Sequence, residues 1–317
     1  MSELVTFGET MLRLSPPGNE RLERASELEF RAAGAESNVA VNAGRLGVEA
    51  TWTSKLPDSP LGHKVRAELS QHGIDVDPVW ADEGRQGTYY LEQAGEPRGT
   101  NVVYDRSGAA VTTATPGELP TGKIADAEAF YTSGITPALS DTLAETSRAL
   151  LEHARENDTT TVFDVNYRSK LWEPADARVT IERLLPDIDT LVAARRDADA
   201  VLGYGGEPGD VAASLAADWD VETVVLTLGE KGALAFHDGE VHQQQAYPAD
   251  TYDPIGTGDA FVGGFLARRL QGDGVPEALA YGAATASLKR TIPGDVAAVT
   301  PEEVARVLDA EGGDISR

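Results

Sequence analysis

The sequence predicts an α/β protein with a mostly parallel sheet covered by helices on both faces and a small β-sheet lid inserted in two pieces. Two observations support this fold class. From residue 120 onward, short apolar runs alternate with helical segments in a βα rhythm. The stretch between residues 86 and 106 is instead rich in aromatic and β-branched residues around a turn. We expect the core in residues 1–10, 33–85 and 107–317, and the lid in residues 11–32 and 86–106.

The first part of the core is expected to contain two strands and two helices. Residues 4–8 read as a short buried strand that ends in glycine. Small and apolar residues at 39–47 have the spacing of a helix that lies close to a sheet, and Gly47 is placed to end it. A strand at 50–55 and a helix at 62–72 follow.

The lid is predicted from a hairpin signal. Residues 86–93 and 100–106 are expected to pair through the turn at 94–99, which contains glycine and proline. Residues 11–15 and the stretch near 28–31 are candidates for further lid strands. In the second part of the core, the expected strands are 129–133, 160–165, 190–193 and 221–228.

Composition limits the partners of this chain. It carries 52 acidic against 27 basic residues, a net charge of −25, so nucleic acid and anionic membranes are excluded as partners. It has no cysteine, which excludes disulfides and thiolate metal sites. No apolar run approaches the roughly 20 residues of a membrane helix, and the first residues do not resemble a secretion signal. We therefore expect a soluble cytoplasmic protein.

The strongest chemical signal is the run Asp253-Pro-Ile-Gly-Thr-Gly-Asp259, followed by an apolar helical segment. Glycines allow a tight turn at which a helix begins, and the free N–H groups of a helix start attract an anion. An Asp at the first helical position is expected to stay ionised, with a pKa near its ordinary value of about 3.9, and to accept a hydroxyl proton. The loop alone is equally typical of a helix with an N-terminal Asp. Neither a Walker A loop nor a dinucleotide fingerprint occurs in the chain.

Three segments together resemble the ribokinase-like (PfkB) carbohydrate kinases. The run 253–266 is similar to the second signature of that family, Arg31-Ala-Ala-Gly-Ala-Glu-Ser-Asn-Val-Ala40 to the first, and Thr227-Leu-Gly-Glu-Lys-Gly-Ala233 to its nucleotide loop. Their order and spacing fit nearly the whole chain. The resemblance implies a doubly wound sheet with a β lid, and ATP and Mg²⁺ as cofactors. It leaves a monovalent cation open.

The resemblance also implies residue roles. Asp259 matches the catalytic base, and Gly256, Thr257 and Gly258 match the anion hole for the transferred phosphoryl group. Nucleotide-loop positions match Thr227, Gly229 and Gly232.

Two positions depart from the family pattern. Position 257 is usually Ala, so the Thr257 hydroxyl is expected either to narrow the loop or to add a donor. The magnesium motif N-x-x-E falls on Ala194-Arg-Arg-Asp197 and keeps only its acidic position. Asp197 is therefore a candidate for holding Mg²⁺ through water.

The substrate is inferred from two arginines. Tyr104 and Arg106 share one face of a lid strand, and we expect Tyr90 to join them from the partner strand, a set that suits an anionic ligand. Arg168 follows a core strand, at the edge where ligands of open α/β sheets bind. Arginine grips a carboxylate with two hydrogen bonds, and a neutral sugar would leave both arginines stranded.

Within the family, the segments around residues 34, 163–172 and 288–296 look most like 2-keto-3-deoxygluconate kinases. This resemblance implies phosphorylation of the C6 hydroxyl of that sugar acid, with its galactonate epimer left open. The implied substrate contacts come from Gly34, Tyr90, Tyr104, Arg106, Arg168, Asp259 and Asp295. The implied nucleotide contacts come from Asn166, Ser287 and Lys289.

Two alternatives remain at this point. One is a kinase of a neutral sugar such as fructose, and the other is an inactive homologue that only binds sugar or nucleotide. The exposed strand edges of the lid need covering, so a homo-oligomer that pairs its lids is also expected.

The acid-rich, lysine-poor composition predicts a protein adapted to high salt, although an ordinary acidic enzyme is the alternative. At low ionic strength the acidic surface would repel a phosphate-bearing substrate, whereas at about 1 M salt the Debye length falls to roughly 3 Å and this repulsion largely vanishes. Thermal unfolding temperature and activity should therefore both rise from dilute buffer to molar KCl. Folding and activity undiminished in dilute buffer would contradict the adaptation.

Overall fold

The computed structural model describes residues 2–94 and 97–310. Its strands, in chain order, are Leu4–Phe7 (β1), Met11–Ser15 (β2), Glu29–Ala33 (β3), Ala50–Thr53 (β4), Lys55–Pro57 (β5), Asp75–Val76 (β6), Val79–Ala81 (β7), Thr88–Glu92 (β8), Asn101–Asp105 (β9), Ala129–Ser133 (β10), Thr160–Asp164 (β11), Thr190–Ala194 (β12), Thr223–Thr227 (β13), Ala233–His237 (β14) and Glu240–Gln244 (β15).

Its α-helices are Ala35–Arg45 (α1), Pro60–Ser70 (α2), Thr121–Ala125 (α3), Asp141–Glu156 (α4), Pro174–Glu182 (α5), Arg195–Ala200 (α6), Pro208–Trp219 (α7), Thr257–Leu270 (α8), Val275–Arg290 (α9) and Pro301–Ala310 (α10). None of the helices in this described part of the chain has the length and apolarity to cross a bilayer.

Nine strands form the main sheet, in the order β15-β14-β13-β12-β11-β10-β1-β4-β6. All neighbours are parallel except at the end formed by β13, β14 and β15, where the pairs are antiparallel. The predicted strand at 50–55 is wrong in one respect. It ends at Thr53, and the chain leaves the main sheet at Ser54 to pair β5 with β7.

Both faces of the main sheet are buried, because successive strand residues point to opposite sides. Leu4, Tyr131 and Val225 belong to one apolar cluster, whereas their chain neighbours Val5 and Phe130 belong to another. The first cluster includes side chains of α1, α8, α9 and α10, and the second includes side chains of α4, α5 and α7. The doubly wound architecture is therefore confirmed.

Close helix packing on the first face depends on two glycines of α8. A side-chain carbon on Gly263 would lie 2.5 Å from Cβ of Asn42 in α1, and one on Gly264 would lie 2.6 Å from Oγ1 of Thr285 in α9. Both distances are far below van der Waals contact. Glycine at these two positions lets α8 approach both neighbours, which places the start of α8 against α1.

The small sheet has the strand order β3-β2-β8-β9. All four lid strands predicted from the sequence are present, and in the described part of the chain no further strand pairs with the two outer ones. Gly95 and Glu96, within the predicted hairpin turn, lie outside the described residues, as do residues 311–317 of the predicted core. The domain boundaries and the pairing of lids between copies stay predictions.

Candidate active site

A large cavity of about 480 Å³ lies between the main sheet and the lid sheet. On the core side it is lined at the carboxyl ends of β11, β12 and β13, by residues such as Asp164 and Thr227. On the lid side it is lined by Tyr89 of β8 and Tyr104 of β9. The carboxyl ends of parallel strands share one edge, so the sheet topology itself brings these groups together.

Most of the residues predicted as functional meet in this large cavity. They are Gly34, Tyr104, Arg106, Asn166, Arg168, Asp197, Thr227, Gly256, Thr257, Gly258, Asp259 and Asp295. The structure does not bring Tyr90 or Lys289 into it.

A smaller cavity of about 190 Å³ adjoins the first. It contains the remaining predicted nucleotide-site residues, Gly229, Gly232 and Ser287, and it has apolar walls that include Phe261. Thr227, Thr257 and Gly258 line both cavities, so the two spaces meet at the start of α8. A molecule in one cavity can therefore reach a molecule in the other at the glycine loop.

The glycine loop is held in a shape that excludes other residues at position 256. Gly256 has φ = +76°, and a side-chain carbon there would lie 1.9 Å from the backbone oxygen of Asp295. The Thr257 hydroxyl donates a hydrogen bond to the backbone oxygen of Pro254 at 2.7 Å, so it is used inside the loop. In the first turn of α8, the N–H of Thr257 donates to the backbone oxygen of Pro254 at 3.3 Å. The N–H groups of Gly258 and Asp259 lack intrahelical partners and offer donors to an anion.

Asp259 is the third residue of α8, not the first as expected from the sequence. Its Oδ2 accepts a hydrogen bond from Nδ2 of Asn38 in α1 at 2.6 Å. Burial raises the pKa of Asp259 to about 6, although the Asn38 bond and the positive charge of Arg168 lower it. The expectation of an ordinary pKa is therefore wrong, because removal of water outweighs these two favourable contacts.

Asp164 is a buried carboxyl group beside Asp259 that the sequence analysis did not single out. Burial raises its pKa to about 8, and the nearby negative charge of Asp259 adds to that shift. Oδ1 of Asp164 accepts a hydrogen bond from the backbone N–H of Asn166 at 3.1 Å, and Asn166 is held at φ = +36°. Asp164 ends strand β11, so its place at the carboxyl edge of the sheet was a signal available from the sequence.

The tyrosine that β8 contributes to the cavity is Tyr89, and not Tyr90 as predicted. In the antiparallel pair β8–β9, Tyr89 lies opposite Tyr104, whereas Tyr90 lies opposite Val103 on the other face. The Tyr89 hydroxyl donates to Oδ1 of Asp295 at 3.3 Å. Successive residues of a strand face opposite sides, so an error of one residue in register replaces one tyrosine by the other.

Arg106 has a counter-charge within the protein, so a neutral sugar would not leave it stranded as the sequence suggested. Its Nη1 lies 3.4 Å from Oε2 of Glu9, a nearly buried carboxylate directly after β1. The guanidinium also lies over the ring of Tyr104, 4.5 Å from its centroid. Arg168 is different, since it is exposed in the cavity and forms no ion pair with any described residue. Arg168 is therefore the guanidinium that is free to meet an anion.

Lys289 lies away from both cavities, so the prediction of a nucleotide contact is wrong. Its side chain is 0% exposed, and its ammonium group donates to backbone oxygens. Its position in the last turn of α9 directs it behind the glycine loop, which sequence spacing alone could not show.

Comparisons with known proteins agree with this geometry. The family model of the pfkB family carbohydrate kinases matches residues 1–302. A 2-dehydro-3-deoxygalactonokinase of Haloferax volcanii is 62% identical over 99% of this chain and 98% of its own length. A 2-dehydro-3-deoxygluconokinase of Thermoproteus tenax is 30% identical over 98% of this chain and 95% of its own length.

A solved structure extends the comparison to the fold. The crystal structure of 2-dehydro-3-deoxygluconokinase from Thermotoga maritima superposes with a TM-score of 0.90 at 31% identity, covering 96% of this chain and 97% of its own. The matched length, the glycine loop at the start of α8 and the lid sheet all lead to one conclusion: the chain belongs to the pfkB family of carbohydrate kinases.

Proposed function

We propose that the protein transfers the γ-phosphoryl group of ATP to the C6 hydroxyl of a 2-keto-3-deoxy sugar acid, either the gluconate or its C4 epimer, the galactonate. The observation that carries this proposal is the pair of adjoining cavities that meet at Gly258, with Asp259 on one side of the junction. Two substrates held in these spaces would have their reacting groups at the start of α8.

The sugar acid would occupy the large cavity. Asp259 accepts the proton of the C6 hydroxyl as the oxygen forms its bond to the γ-phosphorus, and the bond to the bridging oxygen of ADP breaks. The N–H groups of Gly256 and Gly258 stabilise the charge that develops on the transferred group. A pKa of about 6 leaves Asp259 ionised at neutral pH, yet makes it a stronger base than an exposed Asp.

The nucleotide would occupy the small cavity. Apolar walls such as Phe261 and Ala283 suit the adenine ring, and Gly229 and Gly232 let the backbone approach it closely. Gly229 and Gly232 have positive φ angles of +63° and +95°, a backbone conformation that favours glycine at both positions. The triphosphate then points to Thr227 and Gly258, which border both cavities.

Asp164 and Asp197 fit a role in holding Mg²⁺. Both carboxylates line the large cavity, and Mg²⁺ is usually bound by one or two carboxylates together with substrate phosphates and water. Within residues 2–94 and 97–310 there is no cluster of three or more candidate ligands, so a metal cage made by protein alone is not formed there. When bound, Mg²⁺ would neutralise phosphate charge. Arg196 Nε already donates to Oδ1 of Asp197 at 3.2 Å, so a metal ion would share that oxygen with the guanidinium.

The carboxylate of the substrate would bind the guanidinium of Arg168. Arg168 is exposed in the cavity and close enough to Asp259 to lower its pKa, which suits a short substrate with an anion at one end and a hydroxyl at the other. The Haloferax volcanii relative, named as a galactonokinase, supports the galactonate skeleton as the first to test. The ion pair of Arg106 with Glu9 favours the alternative of a neutral sugar such as fructose, because it removes one free positive charge.

The first test is a substrate panel. Protein in multimolar KCl with ATP and Mg²⁺ is given 2-keto-3-deoxygluconate, its C4 epimer and fructose, and ADP release is measured. We expect turnover of the keto acids and none of fructose. Arg168→Ala should lower kcat/KM for the keto acids by roughly 10- to 100-fold, the equivalent of the ~1.5–3 kcal/mol of a charged hydrogen bond. Arg106 already has Glu9 as a partner, so the comparison is the double variant Arg106→Ala with Glu9→Gln, which removes the whole ion pair and should lower kcat/KM less.

Turnover of fructose alone would support the kinase activity but contradict the assignment of a sugar acid as the substrate. Silence with all three substrates in folded protein would favour the inactive, binding-only homologue.

A second prediction concerns the base. Asp259→Asn keeps the size of the side chain and removes its ability to accept a proton, so turnover should fall by about 10²-fold or more. Binding of ATP, measured by calorimetry, should stay nearly intact because the small cavity is unchanged. Near-normal turnover in this variant would refute the assignment.

A third prediction concerns pH. The working form of Asp259 is the carboxylate, so kcat/KM should be level well above pH 6 and fall tenfold per unit well below it. Asn38→Leu removes the hydrogen bond that lowers the pKa of Asp259, so the acid limb should move to higher pH. Asn157→Leu, at the exposed end of α4, is the control. A limb that stays in place or moves to lower pH in Asn38→Leu would show that Asp259 does not set it.

A further inference from the structure

Lys289 is a fully buried cation with an unusual set of partners. Its Nζ donates to the backbone oxygen of Asp253 at 3.2 Å and to that of Ile292 at 2.9 Å. The two oxygens belong to different loops, one before α8 and one after α9. A buried ammonium ion is costly unless hydrogen bonds and opposite charges compensate it, so these contacts are the reason that it can lie here at all.

The two loops that Lys289 joins carry the reacting groups. Residues 253–258 form the glycine loop, and residues 291–295 lead to Asp295 in the large cavity. Further contacts tie them together, since Oδ2 of Asp253 accepts from the N–H of Gly294 at 2.9 Å. Gly256 packs directly on the backbone of Asp295. The ammonium group therefore lies behind the contact of these two loops.

Opposite charges surround the ammonium group. Asp253 and Asp295 are both buried, and Arg13 of the lid lies 2.6 Å from Oδ2 of Asp295 and 4.0 Å from Oδ2 of Asp253. Two cations and two carboxylates thus form one buried cluster. Without Lys289, the cluster would hold one cation against two carboxylates, and the backbone oxygens of residues 253 and 292 would lose their donor.

We propose that Lys289 is a positioning residue whose ammonium ion holds the glycine loop against the loop at 291–295, and so fixes the anion-binding N–H groups and Asp259 for phosphoryl transfer. This inference rests on the proposed function for its kinetic consequence. It also bears on the monovalent cation. The converging carbonyl groups are already occupied by the ammonium ion in the native chain, whereas a variant that lacks it leaves them open to a dissolved cation.

The kinetic test compares Lys289→Met, which keeps the length of the side chain without its charge, with Lys289→Gln, which keeps a donor. Lys123→Met, which removes a surface lysine paired with Asp75 and Asp77, is the matched control. We expect kcat to fall by about 10²-fold in Lys289→Met, the effect of a reacting group displaced by about 1 Å. The fall should be smaller in Lys289→Gln and absent in the control, and KM for ATP should change little in all three.

Chemical rescue separates positioning from general destabilisation. In Lys289→Ala at constant ionic strength, methylammonium, ammonium or potassium ions should restore part of kcat, and the bulky tetramethylammonium ion should not. The wild type should respond equally to all four salts. A Lys289→Ala variant that no cation restores, while Lys289→Met and Lys289→Gln keep wild-type kcat, would overturn the proposal.

Hydrogen exchange gives a readout that needs no turnover. Peptides covering 253–258 and 291–295 should exchange faster in Lys289→Met than in the wild type, with the strands of the main sheet unchanged. If the wild type phosphorylates no sugar acid, the proposed function fails, but this measurement still tests whether Lys289 holds the two loops together. Unchanged exchange in both loops of a folded variant would show that Lys289 does not hold the two loops together. If Lys289→Met does not fold, Lys289→Gln answers the same question.

Discussion

Four buried charges hold the lid, the glycine loop and the substrate end of the cavity in one arrangement. Arg13 comes from the lid strand β2, Asp253 opens the glycine loop, Asp295 faces the cavity, and Lys289 joins the loops from behind. Removing one partner of a buried ion pair typically costs about 3–5 kcal/mol, because the other charge stays in place without compensation. The four residues therefore act as a unit. A disturbance of any one is expected to be felt in the lid and in the loop together.

Water is excluded from this cluster, and the same exclusion of water raises the pKa values of the neighbouring carboxyl groups. Burial is the leading cause of the raised pKa of Asp259 and of Asp164, and each shift is moderated by a donor or a cation. One buried carboxyl with a pKa of about 6 and another with about 8 divide the roles near neutral pH. Near neutral pH, Asp259 is therefore mostly ionised, whereas Asp164 is mostly protonated.

The sequence was sufficient for the features that depend on local pattern. The βα rhythm, the four lid strands and the glycine loop at a helix start all follow from residue spacing. Three features do not. Tyr89 and not Tyr90 faces the cavity because the register of β8 is set by its pairing with β9, in which Tyr89 lies opposite Tyr104. Lys289 turns inward because α9 packs against α8. Arg106 meets Glu9 because the carboxyl end of β1 lies beneath the lid, a neighbourhood that exists only in three dimensions.

The bond between Arg13 and Asp295 joins residues 282 positions apart. Synthesis on the ribosome therefore completes the first lid strand long before its counter-charge emerges, and β1 must likewise wait for β10 to supply its parallel neighbour. Large proteins with such distant pairings expose unfinished edges while they grow. The cavity therefore cannot be completed until residue 295 has been synthesised, because Asp295 is part of its lining.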